Sequence, residues 1–336
     1  MPTRSRLGVS QITTSRRKRL GKRAGFRALQ ACLQDRYDEV SEWEDVILHA
    51  NIHLIGPELY FHIGNDAKGA VEADVIEYLE AQYFANQERS RRILLQIVEL
   101  AAALNERQII PTFIKGAAVL LREECKKEIT RISSDVDVVL KPTEQNSAIE
   151  VLNTLGYRAV EGSDWGHSSG SFARSDVVAA VDLHDTLPTA VEAVTPLDTI
   201  QNQGQPLQVD GANVVIPTPK QHILLNIAHE MLHDRHLAKG FTDLRYLFEL
   251  SAIQRRMPNV PLSDFESRFS QSSRLRLAFE LQDRMAQAVL GRGLFPGITH
   301  TRSGGLLHSR RMLKLQFPHL GQQEWWIVRA IRRPIW

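Results

Sequence analysis

Apolar residues recur at helical spacing over most of the chain, whereas a central stretch follows a strand-like pattern. Val71 to Phe84 and Ile93 to Leu104 carry apolar side chains at three- and four-residue steps, which predicts amphipathic helices. Between residues 108 and 184 the apolar runs are short and rich in β-branched residues, as is typical of strands. The pattern predicts an α/β (α+β) protein whose small mixed β-sheet is covered by helices.

The same pattern divides the chain into four segments. Residues 1–42 are expected to form a basic, disordered extension, since residues 1–27 contain no acidic residue. Residues 43–107 are expected to form a helical lead-in, residues 108–216 the core, and residues 217–336 a helical C-terminal region. Within the core we expect strands at 109–114, 135–140, 157–160 and 177–184, a loop at 162–171 and a polar linker at 201–208.

The bulk composition fits a globular protein of 336 residues, with 43% hydrophobic and 24% charged residues. A net charge of +2 does not by itself indicate nucleic-acid binding, although the basic N-terminal tail could contact an anionic partner. The two cysteines follow no spacing pattern, which favours a reducing compartment. No stretch has the roughly 20 apolar residues of a transmembrane segment, so we expect a cytoplasmic protein.

Three aspartates provide the candidate chemistry. Asp135 and Asp137 stand two apart in a β-branched run, and residues two apart on a strand share one face. Asp182 lies near the end of another apolar run. If the two strands are neighbours, the three carboxylates converge, and a pair of divalent ions about 3.5–4 Å apart could neutralise them.

A second group of residues suits a triphosphate. Gly116 and Ala117 are small residues at a predicted strand-to-helix junction, where free backbone N–H groups can hold phosphate oxygens. Lys115 and Arg131 flank this junction; each could neutralise phosphate charge or serve as a structural ion-pair partner.

These motifs resemble the nucleotidyltransferase superfamily of the DNA polymerase β type, and more closely a bacterial branch of it. The shared elements are Ile114-Lys115-Gly116-Ala117, the run from Arg131 to Asp137 in the form Arg-x-x-x-Asp-Val-Asp, and Asp182-Leu183-His184. The resemblance covers roughly residues 50–255. It implies that Asp135, Asp137 and Asp182 bind metal and that Gly116 marks the phosphate-side turn. Ala117 departs from the Gly or Ser found in most of the superfamily, so the side-chain hydroxyl that could contact a phosphate is missing there. Ser133 or Ser134 could supply it instead.

A competing motif lies further along the chain. His229-Glu230-Met231-Leu232-His233 matches H-E-x-x-H, in which two histidines bind zinc and the glutamate is the general base of a peptidase. His236 or Glu249 could be the third ligand. Because histidines are frequent in this segment, a chance match or a role in lining a neighbouring cleft is favoured instead.

The sequence thus predicts a metal-dependent nucleotidyltransferase that uses Mg²⁺, with two ions expected and Mn²⁺ as an alternative. It would transfer a nucleoside monophosphate from a nucleoside triphosphate such as ATP, with release of pyrophosphate. The acceptor is left open between a small molecule, a sugar precursor, an RNA and a protein. His184, Asn226 and His229 are candidate pocket residues. The alternatives are a zinc metallopeptidase and a catalytically inactive scaffold that binds a nucleotide or a partner.

Overall fold

The computed structural model describes residues 23–40, 42–64, 68–122, 129–160, 170–256 and 260–317. Its α-helices are α1 (Arg23–Cys32), α2 (Trp43–Ile52), α3 (Gly56–Ile63), α4 (Ala73–Glu106), α5 (Lys115–Leu121), α6 (Gln145–Thr154), α7 (Thr189–Glu192), α8 (Leu197–Gln203), α9 (Pro219–Ile227), α10 (His236–Lys239), α11 (Leu244–Arg256), α12 (Glu266–Gln271), α13 (Ser273–Leu290) and α14 (Arg302–Gln316). Its strands are β1 (Thr112–Phe113), β2 (Asp135–Val139), β3 (Arg158–Ala159), β4 (Gly170–Ala173), β5 (Ala180–His184), β6 (Gln205–Val209) and β7 (Ala212–Ile216).

The seven strands form one mixed sheet in the order β3-β4-β5-β2-β1-β7-β6. The central pair, β2 and β5, is parallel, and β1 is parallel to β7. The remaining neighbours are antiparallel. The predicted fold class, an α/β protein with a small mixed sheet and helical N- and C-terminal regions, is confirmed.

The two faces of the sheet belong to different cores. Alternation along β2 sends Val136 and Val138 into a cluster with the C-terminal half of α4, with α5 and with α6. Val139, on the opposite face, joins a second and larger cluster formed mainly by helices. The face that carries Asp135 and Asp137 therefore looks toward the helical region, which leaves room for a cleft between sheet and helices.

One long helix connects the two cores. In α4, Val75 and Leu79 are buried in the helical cluster, whereas Ile93 and Ile97, at a four-residue step, are buried against the sheet. The segment that we predicted as a helical lead-in thus contributes to both cores. The proposed segment boundaries at residues 107 and 216 remain predictions.

The expectation of disorder does not hold for residues 23–40. Phe26 and Leu29 of α1 are fully buried in the helical core, because this basic helix also carries an apolar stripe. The basic residues before Arg23 lie outside the described part of the chain, so their contact with an anionic partner stays a prediction.

Two further expectations need correction. The polar linker at 201–208 is instead the end of α8 followed by strand β6, which pairs with β7 in a hairpin. The loop predicted at 162–171 gives way to strand β4 at Gly170, and residues 161–169 lie outside the described ranges. In the part of the chain that is described, no helix is both long and apolar enough to cross a bilayer.

Candidate active site

The register of the two central strands gathers the three aspartates on one face. Asp137 of β2 pairs directly with Asp182 of the parallel strand β5, and Asp135 pairs with Ala180. Because side chains alternate along a strand, Asp135, Asp137 and Asp182 project from the same side of the sheet. This side faces the helical region.

Asp137 is the most deeply buried member of this acidic face, at 1% exposure. Its Oδ1 accepts a hydrogen bond from Lys115 Nζ at 2.7 Å and lies 3.1 Å from His184 Nε2. Burial alone would raise the pKa of Asp137, but Lys115 and His184 hold it below its usual range. Its Oδ2 is also buried and has no hydrogen-bond partner among the described residues. A buried carboxylate oxygen of this kind fits a cation as its partner.

The other two carboxylates are half-buried. Burial and the charges of Asp137 and Asp182 raise the pKa of Asp135, whereas Lys115 opposes that shift. The hydroxyl of Ser171 on β4 donates a hydrogen bond to Asp182 Oδ1. As they stand in the described part of the chain, the oxygens of Asp135, Asp137 and Asp182 do not all come within 4.8 Å of one another. At least one side chain must therefore rotate for all three to chelate one ion.

The turn between β1 and α5 places Lys115 beside Asp137. Lys115 has a φ of 50°, a left-handed conformation that a lysine adopts at an energetic cost. The backbone N–H of Ile114 donates to the carbonyl of Asp137 at 3.2 Å, which ties the turn to β2. A strained backbone held next to a buried charge is a frequent property of functional sites.

Gly116 and Ala117, the predicted phosphate-binding residues, are buried. A Cβ at Gly116 would overlap the Arg131 guanidinium and lie 2.5 Å from Ser133 Oγ, so close packing requires glycine there. The methyl group of Ala117 is fully buried in the core. Ala117 could therefore contact a phosphate only through its backbone N–H group.

Arg131, the other predicted phosphate ligand, belongs to a buried ion-pair network. Its Nε lies 2.6 Å from Glu249 Oε2, and His222 Nε2 lies 2.6 Å from Glu249 Oε1. Burial would raise the pKa of Glu249, but Arg131 and then His222 lower it to about 2. Ser134 is exposed, and its carbonyl accepts a hydrogen bond from Arg89 at 3.4 Å.

A small cleft lies between the helices and the part of the sheet that carries Lys115 and His184. Asp135, Asp137 and Asp182 are not among the residues that line it. The candidate pocket residues His184, Asn226 and His229 all line it, as do Lys115 and Arg131. Of the other polar side chains in the cleft, Tyr246 had no signal in the sequence, and Glu249 was considered only as a zinc ligand. The additional polar lining residues are His222, Tyr246 and Glu249.

The structure also decides how the H-E-x-x-H motif is used. Glu230 is fully buried, accepts a hydrogen bond from Gln282, and lies 3.6 Å from His236 Nδ1. Glu249 is engaged by Arg131. Among the described residues, His236 is not part of the group formed by His229, His233 and Asp234, whose ligand atoms all lie within 4.8 Å of one another. With its glutamate packed inside the protein, the motif lacks the general base of a peptidase. We therefore do not retain the metallopeptidase alternative.

Comparison with known proteins identifies the class of protein. Residues 39–291 match the family described as "Uncharacterised nucleotidyltransferase". Since this match spans most of the 336 residues, the chain belongs to that family. The resemblance found in the sequence motifs is confirmed, and family membership supports a nucleotidyltransferase function.

Other comparisons add little. No curated protein matches the chain significantly. The solution structure of the antibiotic-resistance factor ANT(2'')-Ia is similar at 15% identity and a TM-score of 0.32, covering 53% of this chain and 93% of that one. We base no conclusion on so distant a similarity.

Proposed function

We propose that the chain transfers a nucleoside monophosphate from a nucleoside triphosphate to an acceptor and releases pyrophosphate. The observation that carries this proposal is the buried, unpartnered Oδ2 of Asp137 among the described residues, on the same face as Asp135 and Asp182. A divalent ion is the simplest partner for such an oxygen. We assign Mg²⁺ to this face, with Mn²⁺ as a substitute.

Divalent ions held by Asp135, Asp137 and Asp182 would supply positive charge to the attacking and leaving oxygens. Asp182 is also our candidate to accept the proton of the acceptor, because its carboxylate is half-buried whereas that of Asp137 is buried. Asp137 anchors the site through its contacts with Lys115 and His184.

Lys115 has a proposed role in binding the triphosphate. Its ammonium group is 2.7 Å from Asp137, and its side chain is 27% exposed, so it can also reach an anion in the cleft. Backbone N–H groups of Gly116 and Ala117 and the hydroxyl of Ser134 remain proposed phosphate contacts. Arg131 is held by Glu249, which favours a role in positioning the Lys115 turn over direct contact with phosphate.

We propose that the acceptor and the nucleobase bind in the cleft, which His184, Asn226 and His229 line. The chemistry proposed here requires a nucleophile such as a hydroxyl group on the acceptor. A small molecule, a sugar precursor, an RNA and a protein all offer one.

The test is to incubate the purified chain with each α-labelled nucleoside triphosphate, Mg²⁺ and a cell extract. We expect label to enter one class of acceptor, with release of one pyrophosphate for each labelled acceptor. Chelation of the Mg²⁺ should stop this transfer. Asp182→Asn should abolish transfer. Asp198→Asn, which changes an exposed aspartate on α8, is the matched control and should transfer normally.

Two results would contradict the proposal. Undiminished transfer by Asp182→Asn would show that Asp182 has no role in the reaction. Nucleotide binding without any transfer by the unmodified chain would favour the inactive scaffold instead.

A further inference from the structure

A second group of possible metal ligands adjoins the helical wall of the cleft, which its member His229 lines. After α9 the chain continues as a six-residue π-helix, Ala228–His233. The ligand atoms of His229 and His233, which lie within this π-helix, and of Asp234, which follows it, all lie within 4.8 Å of one another. π-Helical turns are frequent at functional sites because they change the direction of side chains.

The contacts around this group hold it at the edge of the cleft. The rings of His229 and His233 are 5.0 Å apart, and His229 Nδ1 lies 3.3 Å from Asp234 Oδ2. The hydroxyl of Tyr246 lies 3.4 Å from the same nitrogen. His229, His233 and Asp234 are all half-buried, and His229 lines the cleft beside Lys115.

The chemistry of these ligands differs from that of the acidic face. Two imidazoles and one carboxylate suit zinc and similar first-row divalent ions, whereas Mg²⁺ prefers oxygen ligands. Three protein ligands leave at least one coordination position open. Glu230, whose carboxylate is buried on the far side of this turn, is not part of the group.

We propose that His229, His233 and Asp234 form a binding site for a zinc-class divalent ion at the wall of the cleft. The open position of this ion would take water or an anionic oxygen of whatever occupies the cleft. The inference does not rest on the proposed nucleotidyl transfer. The two proposals share only His229, and the ligand type and the measurement are separate.

A simple ion pair is the competing explanation, since His229 and Asp234 already interact. The chain offers a matched case: His62 Nε2 lies 3.3 Å from Asp35 Oδ1, the same separation. Among the described residues, the pair of His62 and Asp35 is not part of a group of three possible metal ligands. A metal site should respond to the loss of His233, whereas an ordinary His–Asp pair should bind no ion.

The experiment uses the full, tag-free chain after removal of metals with a chelator. Co²⁺ is added in excess Mg²⁺ while its visible absorption is followed, and Zn²⁺ then displaces it. We expect one tightly bound equivalent, and His233→Asn and Asp234→Asn should each weaken binding by about 10²-fold or more. His62→Asn should bind as the unmodified chain does.

Circular dichroism establishes that each variant is folded. We expect both ligand variants to fold, because His233 and Asp234 are only half-buried. Absence of a stoichiometric Co²⁺ or Zn²⁺ equivalent in the unmodified chain would overturn the proposal. Equal affinity in the unmodified chain and in both ligand variants would overturn it as well. Neither result bears on transfer at the acidic face, which is measured separately by pyrophosphate release.

Discussion

Asp137 and Glu230 are both buried carboxylates from short sequence motifs, yet the protein surrounds them differently. Glu230 has partners on both oxygens: the backbone N–H of Asp243 donates to Oε1 at 3.4 Å, and Gln282 donates to Oε2. The Arg311 guanidinium lies 3.8 Å from Oε1. A carboxylate satisfied in this way stabilises the fold and has no oxygen left for a ligand.

Asp137 is satisfied on one side only. Lys115 and His184 both contact its Oδ1, while Oδ2 is buried without a hydrogen-bond partner in the described part of the chain. Leaving a buried charged oxygen unpartnered costs stability, and a cation bound at this oxygen would offset that cost. Because the two motifs are equally short, the pattern of partners is what leads us to propose a functional role for Asp137 and a structural role for Glu230.

The largest expected effect is that of Asp137→Asn on activity. Losing a charged ligand from the acidic face should reduce pyrophosphate release by about 10²–10³-fold, since a metal contributes several kcal/mol of transition-state stabilisation. The rate is measured at saturating triphosphate and Mg²⁺, with folding checked by circular dichroism. Glu230→Gln, measured at a temperature where it is folded, should retain its activity. Normal turnover by Asp137→Asn would contradict the proposal that Asp137, unlike Glu230, is a functional carboxylate.

Glu230→Gln should instead affect stability. It leaves Arg311, whose side chain is fully buried, without its acidic neighbour, and we expect a loss of about 4 kcal/mol in the free energy of unfolding. Urea denaturation measures this loss. If Glu230→Gln is as stable as the unmodified chain, Glu230 has no structural role. If it is stable but inactive, Glu230 takes part in the reaction.

Glu249→Gln should have a smaller, pH-dependent effect. The pKa of Glu249 falls from an ordinary 4.5 to about 2 in the folded chain, so its stabilisation is complete above pH 4.5 and is lost as pH falls toward 2. We expect the variant to lose about 2 kcal/mol at pH 7, since the hydrogen bond is to a charged partner.

Urea denaturation at pH 7 and pH 3 checks the sign. The difference in unfolding free energy between the unmodified chain and Glu249→Gln should shrink at the lower pH. If this difference stays constant or grows at pH 3, Arg131 does not lower the pKa of Glu249 in the folded chain.

Ala117→Ser should have the smallest effect. It adds the hydroxyl group common in the wider superfamily, but Ala117 is fully buried in the sheet core. We expect a cost of about 1 kcal/mol from the buried hydroxyl, and no change in the KM for triphosphate. A clear fall in that KM would show that this side chain does reach a phosphate.

Much of the sheet could be predicted because its central strands have strong local signals. β2 and β5 alternate between apolar and polar side chains, and Gly156 ends its helix with a φ of 89°. β6 was missed because it is a polar edge strand held by pairing with β7. The Asp210-Gly211 turn between them was the available signal.

The site was predictable only where the strands determine it. Strand alternation placed Asp135, Asp137 and Asp182 on a common face. The pairing of Arg131 with Glu249 depends on how distant helices pack, which local sequence does not encode. The orientation of Glu230 depends in the same way on tertiary packing and on a π-helical turn that periodicity does not reveal.

The most direct test of the acidic face is the melting temperature of Asp135→Asn, compared with the unmodified chain across a Mg²⁺ titration with a non-hydrolysable triphosphate. Because Asp137 and Asp182 repel the Asp135 carboxylate, the variant without metal should melt at the same temperature as the unmodified chain, or higher. Mg²⁺ should then raise the melting temperature of the unmodified chain and leave that of the variant unchanged. An equal rise in both would contradict the assignment of the divalent ion to this face.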